Sequence, residues 1–416
     1  MEQQILVHRL PGGLVLLGEP MPWLRTVACT FMLPAGTCCE PEGKEGLAGA
    51  VMEMIERGCG DLDSRAYMEV LDALGVETGS AVMTTHSTFG AVMRSDVLPE
   101  ALHLLGQALC DPTLPADQVE DVRQICMQEL RGLEDEPSHR CFTELKRFRF
   151  SHPYGRIAQG TREGIESIQH VDIVDFHRRH FSPGGTVLAV AGNFEWKRLC
   201  DLVEELFGGW RGEAQSELSP VQVNYGSRHV DFASSQTHLA LAYDCPAYGD
   251  AEYYPSRAVV GVLSDGMSSR LFTEVREKRG LVYSVLATCY SIRDRGSVLC
   301  YAGTTANRAE ETLEVLLQTI DSIAQGVSPG ELERLKFRIK SSMVFEQESS
   351  RARSRQIAND WCVLGRVPTQ REVLAEIDRL TCESVREHFL RYRPRAFSLV
   401  SVGSEPLELP VGADHT

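Results

Sequence analysis

The sequence has no stretch approaching the roughly 20 consecutive apolar residues that a membrane-spanning helix needs. Its first residues, MEQQILVHRLPGG, lack the basic start, apolar core and small-residue site of a secretory signal. It also lacks a basic excess. Lys and Arg total 42 against 58 Asp and Glu, a formal net charge of -16, which argues against nucleic-acid binding. No C-x-x-C pair occurs among the 13 cysteines, and Cys38 and Cys39 are adjacent, which suits neither a zinc ribbon nor an easy internal disulfide. No cysteine sits in a local nucleophile signature, so free thiols acting as small hydrophobes are expected. An odd set of thiols without a secretory signal points to a reducing compartment, the cytoplasm. What is present is a globular composition, 43% hydrophobic and 24% charged, in 416 residues, enough for two ordinary domains.

The chain repeats itself. Ser64-Arg65-Ala66-Tyr67-Met68-Glu69-Val70, with Gly75 beyond, returns as Ser269-Arg270-Leu271-Phe272-Thr273-Glu274-Val275 with Gly280 at the same spacing. Each copy follows an expected helix, Gly46 to Arg57 or Pro255 to Leu263. Each precedes two β-type runs, Val76 to Met83 and Ser87 to Met93, or Leu281 to Ala287 and Gly296 to Ala302. An amphipathic helix comes next, seeded by Leu102, Leu105 and Leu109, or by Leu313, Leu316 and Leu317. Both halves close on an apolar strand ending in glycine, Val187 to Gly192 and Leu399 to Gly403.

This order predicts an α+β fold of two homologous domains, each a largely antiparallel sheet with helices packed on one face. The expected boundaries are 1–210, a linker at 211–228, and 229–416. The free edge of such a sheet can accept an extended peptide by strand addition.

The segment Gly46-Leu47-Ala48-Gly49-Ala50-Val51-Met52-Glu53-Met54-Ile55-Glu56-Arg57-Gly58 places Leu47, Val51, Met54 and Ile55 on one helical face. Positions 49, 52, 53 and 56 lie around the other side, expected to be a solvated acidic face. In an inverted zincin, H-x-x-E-H occupies three of those positions, two histidines binding zinc and the glutamate activating water. The frame of Gly46, Ala48, Met54 and Gly58 resembles the zinc helix of the pitrilysin and mitochondrial-processing-peptidase family. The resemblance sets Gly49 at the first histidine, Met52 at the catalytic glutamate and Glu53 at the second histidine. Glu129, in Met127-Gln128-Glu129-Leu130, matches the third ligand. Glycine offers no ligand, and a thioether is neither a good zinc ligand nor a base. No metal is therefore expected in this chain, whether zinc or a hard cation at Glu53, Glu56 and Glu129. His177 and His180 read as surface residues, and His86 has no ligand partner identifiable from spacing.

The resemblance extends from about His8 to Gly403, through Glu134-Asp135-Glu136-Pro137, His152-Pro153-Tyr154-Gly155 and the glycine-containing loop Leu263 to Leu271. In that family the second domain supplies an arginine and a tyrosine that hydrogen-bond the bound peptide and its oxyanion. Arg276 and Tyr283 match them, whereas the first repeat has Leu71 and Thr78. A guanidinium and a phenol suit charge appearing on a carbonyl oxygen. The resemblance implies a non-catalytic subunit giving Arg276 and Tyr283, in trans, to a homologous partner chain that holds zinc, with unfolded peptide as substrate. The alternatives are a purely structural subunit, or a peptide-binding homodimer without peptidase activity.

Overall fold

Val187–Gly192 and Ser398–Gly403, the apolar runs that close the two repeats, are buried along their whole length. Each is an interior strand of its own sheet. The computed structural model describes residues 3–212 and 218–410, which divide into two units. The first comprises Met1–Arg131, Arg156–Ser219 and Met343–Gln370; the second comprises Gly132–Gly155, Pro220–Ser342 and Arg371–Thr416.

The strands of the first unit are β1 (Leu6–Arg9), β2 (Val15–Pro20), β3 (Thr26–Leu33), β4 (Gly58–Cys59), β5 (Leu62–Asp63), β6 (Glu77–Val82), β7 (Ser87–Arg94) and β8 (Val187–Gly192). Six form one sheet in the order β1-β2-β8-β3-β7-β6, and β4 pairs with β5. Within the larger sheet only β2 and β8 run parallel. The second unit holds β9 (Gly226–Asp231), β10 (Gln236–Cys245), β11 (Ser284–Ile292), β12 (Arg295–Thr305) and β13 (Ser398–Gly403), in the order β11-β12-β10-β13-β9. Here β13 and β9 are the parallel pair. The largely antiparallel α+β architecture expected from the repeats is the one observed.

Helices α1 (Leu47–Ile55), α2 (Ser64–Leu74), α3 (Leu98–Cys110) and α4 (Val119–Glu134) precede α5 (Pro137–Arg149). Then follow α6 (Arg162–Ser167), α7 (His170–His180), α8 (Trp196–Phe207), α9 (Tyr253–Ser264), α10 (Ala309–Asp321), α11 (Pro329–Glu346) and α12 (Ser350–Leu364). Their ends follow local chemistry. The Asp63 carboxylate accepts from the Ala66 amide to start α2, which stops at Gly75 in the left-handed region, φ 64°. Ser349 caps α12 in the same way, and Gly365 ends it.

Central strands this apolar on successive positions need cover on both faces. In the first unit α12 provides the second layer, with Ile357 and Ala358 fully buried among Val15, Leu17, Met32, Val187 and Ala189. In the second unit α5 does the same, with Cys141 and Leu145 among Ala240, Ala242, Leu299, Tyr301, Val400 and Val402. Each unit therefore includes a helix encoded in the other half of the chain, and the units differ from the contiguous spans 1–210 and 229–416. Of the expected linker, 213–217 lie outside the described residues, and 226–228 already belong to β9, which pairs with β13. The β-run expected from Leu281 begins as a strand only at Ser284.

Candidate functional site

In the first unit the site is built on α1. Its N-terminus has no local side-chain cap; Gly46 takes φ 107° there. The Glu40 carboxylate accepts instead from the Gly46 and Ala48 amides, both at 3.0 Å. Burial pushes the Glu40 carboxyl up to about 8, against those two hydrogen bonds and the Arg156 guanidinium.

The helix is covered nearly all round, and this corrects the expected solvated face. Met52 is buried like Leu47, Val51, Met54 and Ile55. Gly49 is half-buried, and a Cβ built on it would meet only the Ala158 carbonyl oxygen, at 3.4 Å. Glu53 is half-buried, and Glu129 on α4 is exposed. Partial burial and the Glu53 charge raise the Glu129 carboxyl. Burial and Glu53 likewise push Glu56 up to about 7, with the Ser80 hydroxyl opposing. Glu53 thus stands within electrostatic reach of both Glu56 and Glu129. Among the described residues, however, no group of three His, Cys, Asp or Glu side chains is placed to hold a metal ion. The residues at the zincin positions do not fit zinc: one has no side chain and one offers only a thioether.

The contact between Ser80 and Glu56 sets β6 beside α1. β6 pairs on one side with β7, and its other edge has no strand partner among the described residues. That leaves a row of backbone donors and acceptors next to α1, the arrangement that strand addition uses.

The histidines are not simple surface residues. His177 bonds the Leu109 carbonyl oxygen at 2.9 Å, and burial lowers its pKa. His180 stacks on Phe176, with ring centres 4.6 Å apart, and its Nδ1 is buried. Burial holds His86 down to about 4.

In the second unit, Arg276 lies in a π-helical turn, Phe272–Glu277, a wide turn frequent at functional sites. Its guanidinium carbon is 4.8 Å from the Phe272 ring centre and 5.1 Å from that of Tyr283. Tyr283 is 82% exposed and lies on the bend before β11, not within the strand. Neighbouring Glu274 is engaged by Lys278 and Arg279. No carboxylate pairs with Arg276 among the described residues, so its forked donors stay free. In the first repeat Leu71 is buried core and Thr78 lies on β6. Phe272 is the aromatic of the repeat pattern; its position one helical turn before Arg276 is the signal for a stacked pair.

The glycine-containing loop of this unit closes over α11. Gly266 has φ 95°, and a Cβ there would stand 2.7 Å from Arg338 Nη1. Arg270 is fixed by Glu331, at 2.7 and 3.0 Å, and by the Gly326 carbonyl oxygen. A cavity of about 540 Å³ lies between loop and helix, lined by Asp265, Ser268, Arg334 and Arg338 over Val262 and Leu335. Arg276 and Tyr283 are not part of it.

No helix among the described residues is long and apolar enough to cross a membrane.

Comparison with known proteins agrees with this architecture. Residues 20–162 match the family model described as Insulinase (Peptidase family M16), and 167–339 match Peptidase M16 inactive domain. Curated relatives include an uncharacterised zinc protease of Rickettsia bellii, 24% identical over 90% of this chain and 91% of its own length. Another, from Mycobacterium bovis, is 26% identical over 95% and 93%. Among solved structures, a peptidase M16 inactive domain from Pseudomonas fluorescens superposes with a TM-score of 0.89 at 21% identity, covering 98% of this chain and 99% of that one. A protease from Helicobacter pylori does so with the same score at 17% identity, covering 97% and 100%. Two repeats in the same order, a helix in the zinc-helix frame and matches to both family models lead to one conclusion: the chain belongs to peptidase family M16, the insulinase or pitrilysin type.

Proposed function

We propose that this chain is the non-catalytic subunit of a heteromeric zinc peptidase. It presents Arg276 and Tyr283 to a homologous partner whose side chains hold the zinc and the general base. One contrast carries the reading. The ligand and base positions of α1 are occupied by Gly49 and buried Met52, while Tyr283 is exposed and the half-buried Arg276 has no carboxylate partner among the described residues. A guanidinium stacked on the ring of a phenol sets two donors side by side, which suits a peptide carbonyl oxygen as it gains negative charge. Unfolded peptide is the substrate class that the open edge of β6 supports. A reducing compartment such as the cytoplasm suits thirteen free cysteines.

The experiment is reconstitution with an M16 homologue that keeps H-x-x-E-H. Each chain alone should hydrolyse a quenched fluorescent peptide poorly, and the mixture at least tenfold faster. Stoichiometric zinc together with peptide hydrolysis by the purified chain alone would overturn the proposal. The second reading, a structural subunit, is favoured by the buried Met52. It predicts that Arg276→Ala with Tyr283→Phe leaves the turnover of the mixture unchanged. A peptide-binding homodimer would show as a twofold native mass without the homologue.

A further inference from the structure

The segment leading into α1 carries chemistry that peptide binding does not use. Thr37–Cys39 forms a single 3-10 turn, anchored by the Thr37 and Cys38 amides donating to the carbonyl oxygens of Met83 and Thr84. Its two sulfurs face each other, Cys38 Sγ to Cys39 Sγ being 3.9 Å. Cys38 is buried and Cys39 partly exposed. A guanidinium and an imidazole flank the pair. The Arg156 guanidinium donates to the carbonyl oxygens of Thr37 and Glu40, bracketing the turn. His180, at the end of α7, lies close enough to Cys39 to favour its thiolate, and its buried Nδ1 has no hydrogen-bond partner. The Cys38 thiol and then His180 hold the Cys39 thiol below the ordinary range, while Cys38 is pushed up. Burial raises Cys29, Cys59, Cys110, Cys126, Cys141 and Cys300 instead.

We propose that Cys38 and Cys39 form a redox-active vicinal dithiol, with Cys39 as the attacking thiol and Cys38 as the resolving one. The oxidant is a hydroperoxide. The Cys39 thiolate attacks its distal oxygen, the O–O bond breaks, and Cys39 becomes a sulfenic acid as hydroxide (or alkoxide) leaves. Cys38 then attacks the Cys39 sulfur, forming the S–S bond and releasing water, its thiol proton going to the departing hydroxyl. Adjacent Cα atoms are held about 3.8 Å apart by the trans peptide, short of the roughly 4.4 Å at which disulfides ordinarily begin. The bond is therefore strained and readily reduced, as suits a reversible site rather than a staple. Glu40, the cap of α1, is the next residue, so closing the ring pulls directly on the start of that helix.

The test uses the reduced full chain, one equivalent of hydrogen peroxide, and peptide mass mapping. The tryptic fragment 26–44, which also contains Cys29, should lose two hydrogens and regain them with dithiothreitol. In Cys38→Ser, Cys39 should persist as the sulfenic acid and be trapped by dimedone. In Cys39→Ser, neither product should form. A melting curve establishes that each variant is folded. Independently of the variants, N-ethylmaleimide should label Cys39 of the native chain at least tenfold faster than Cys110, Cys200 and Cys382, which are also partly exposed. Labelling at an equal rate, or a disulfide that survives in Cys39→Ser, would overturn the proposal.

Discussion

The Arg276 guanidinium sits 5.1 Å from the Tyr283 ring centre, with Phe272 as a second ring at 4.8 Å. Both cation–π contacts orient the guanidinium without consuming its N–H donors. Replacing Arg276 by Ala should therefore remove a stabilising donor from the reconstituted peptidase. The expected loss in kcat is about 10²-fold, the scale seen for an oxyanion donor. Arg276→Lys should recover only part of it, because an ammonium lacks the planar fork. Assembly and melting temperature should stay within error, since these side chains contribute little to the core. Steady-state kinetics beside native mass separates the two effects.

The repeat and the strand types were legible because they rest on local patterns: hydrophobic period and glycine punctuation. What was hidden is long-range. That α12 lies on β3 and β8 follows from the need to cover a two-faced apolar sheet, but nothing near Ile357 says which sheet. The burial of Met52 was missed for a related reason. Helical periodicity marks the most apolar face, while cover on the opposite side comes from other segments. Glu40 caps α1 across a loop, and so carries no capping-box spacing. His177 and His180 gave the opposite error, since polar neighbours in sequence concealed an inward orientation.

The space around α1 allows a zinc site to be built into it. A Cβ at position 49 would meet only the Ala158 carbonyl oxygen at 3.4 Å, an ordinary contact. Glu129 already stands within electrostatic reach of Glu53. The triple variant Gly49→His, Met52→Glu, Glu53→His should bind zinc stoichiometrically, measured by metal analysis after gel filtration. Zinc at 100 times its Kd should stabilise that variant by about 2.7 kcal/mol, and adding Glu129→Gln should abolish most of the shift. The natural chain should show none.

Glu40 predicts a pH dependence of stability with a definite sign. Its carboxyl titrates near 4.5 when unfolded and at about 8 when folded, so the folded chain holds the extra proton between those values. The contribution is complete below about 4.5 and is lost as pH rises through about 8. Glu40→Gln keeps an oxygen acceptor for the Gly46 and Ala48 amides and has no proton to lose. Natural stability should fall from pH 5 to 8.5 by on the order of 2 kcal/mol more than that of Glu40→Gln. The slope left in the variant should level off near 7, above which Glu56 is ionised in both states. Urea unfolding at both pH values measures the difference.

The helix encoded far from its sheet gives the sharpest test of the fold. Ile357 is fully buried against Val15, Leu17, Met32, Val187 and Ala189. Arg353, one turn earlier on α12, donates to Glu19 at 2.9 and 2.7 Å. If α12 forms the second layer of the first unit, Ile357→Ala removes core contacts and leaves a cavity, destabilising by about 3 kcal/mol. Val363→Ala, on the same helix but 41% exposed, should change stability by no more than about 0.5 kcal/mol. Hydrogen exchange adds a spatial readout: Ile357→Ala should speed exchange in β3 and β8 before β10 and β13. Equal acceleration in both sheets, or none in β3, would show that α12 does not hold the first sheet.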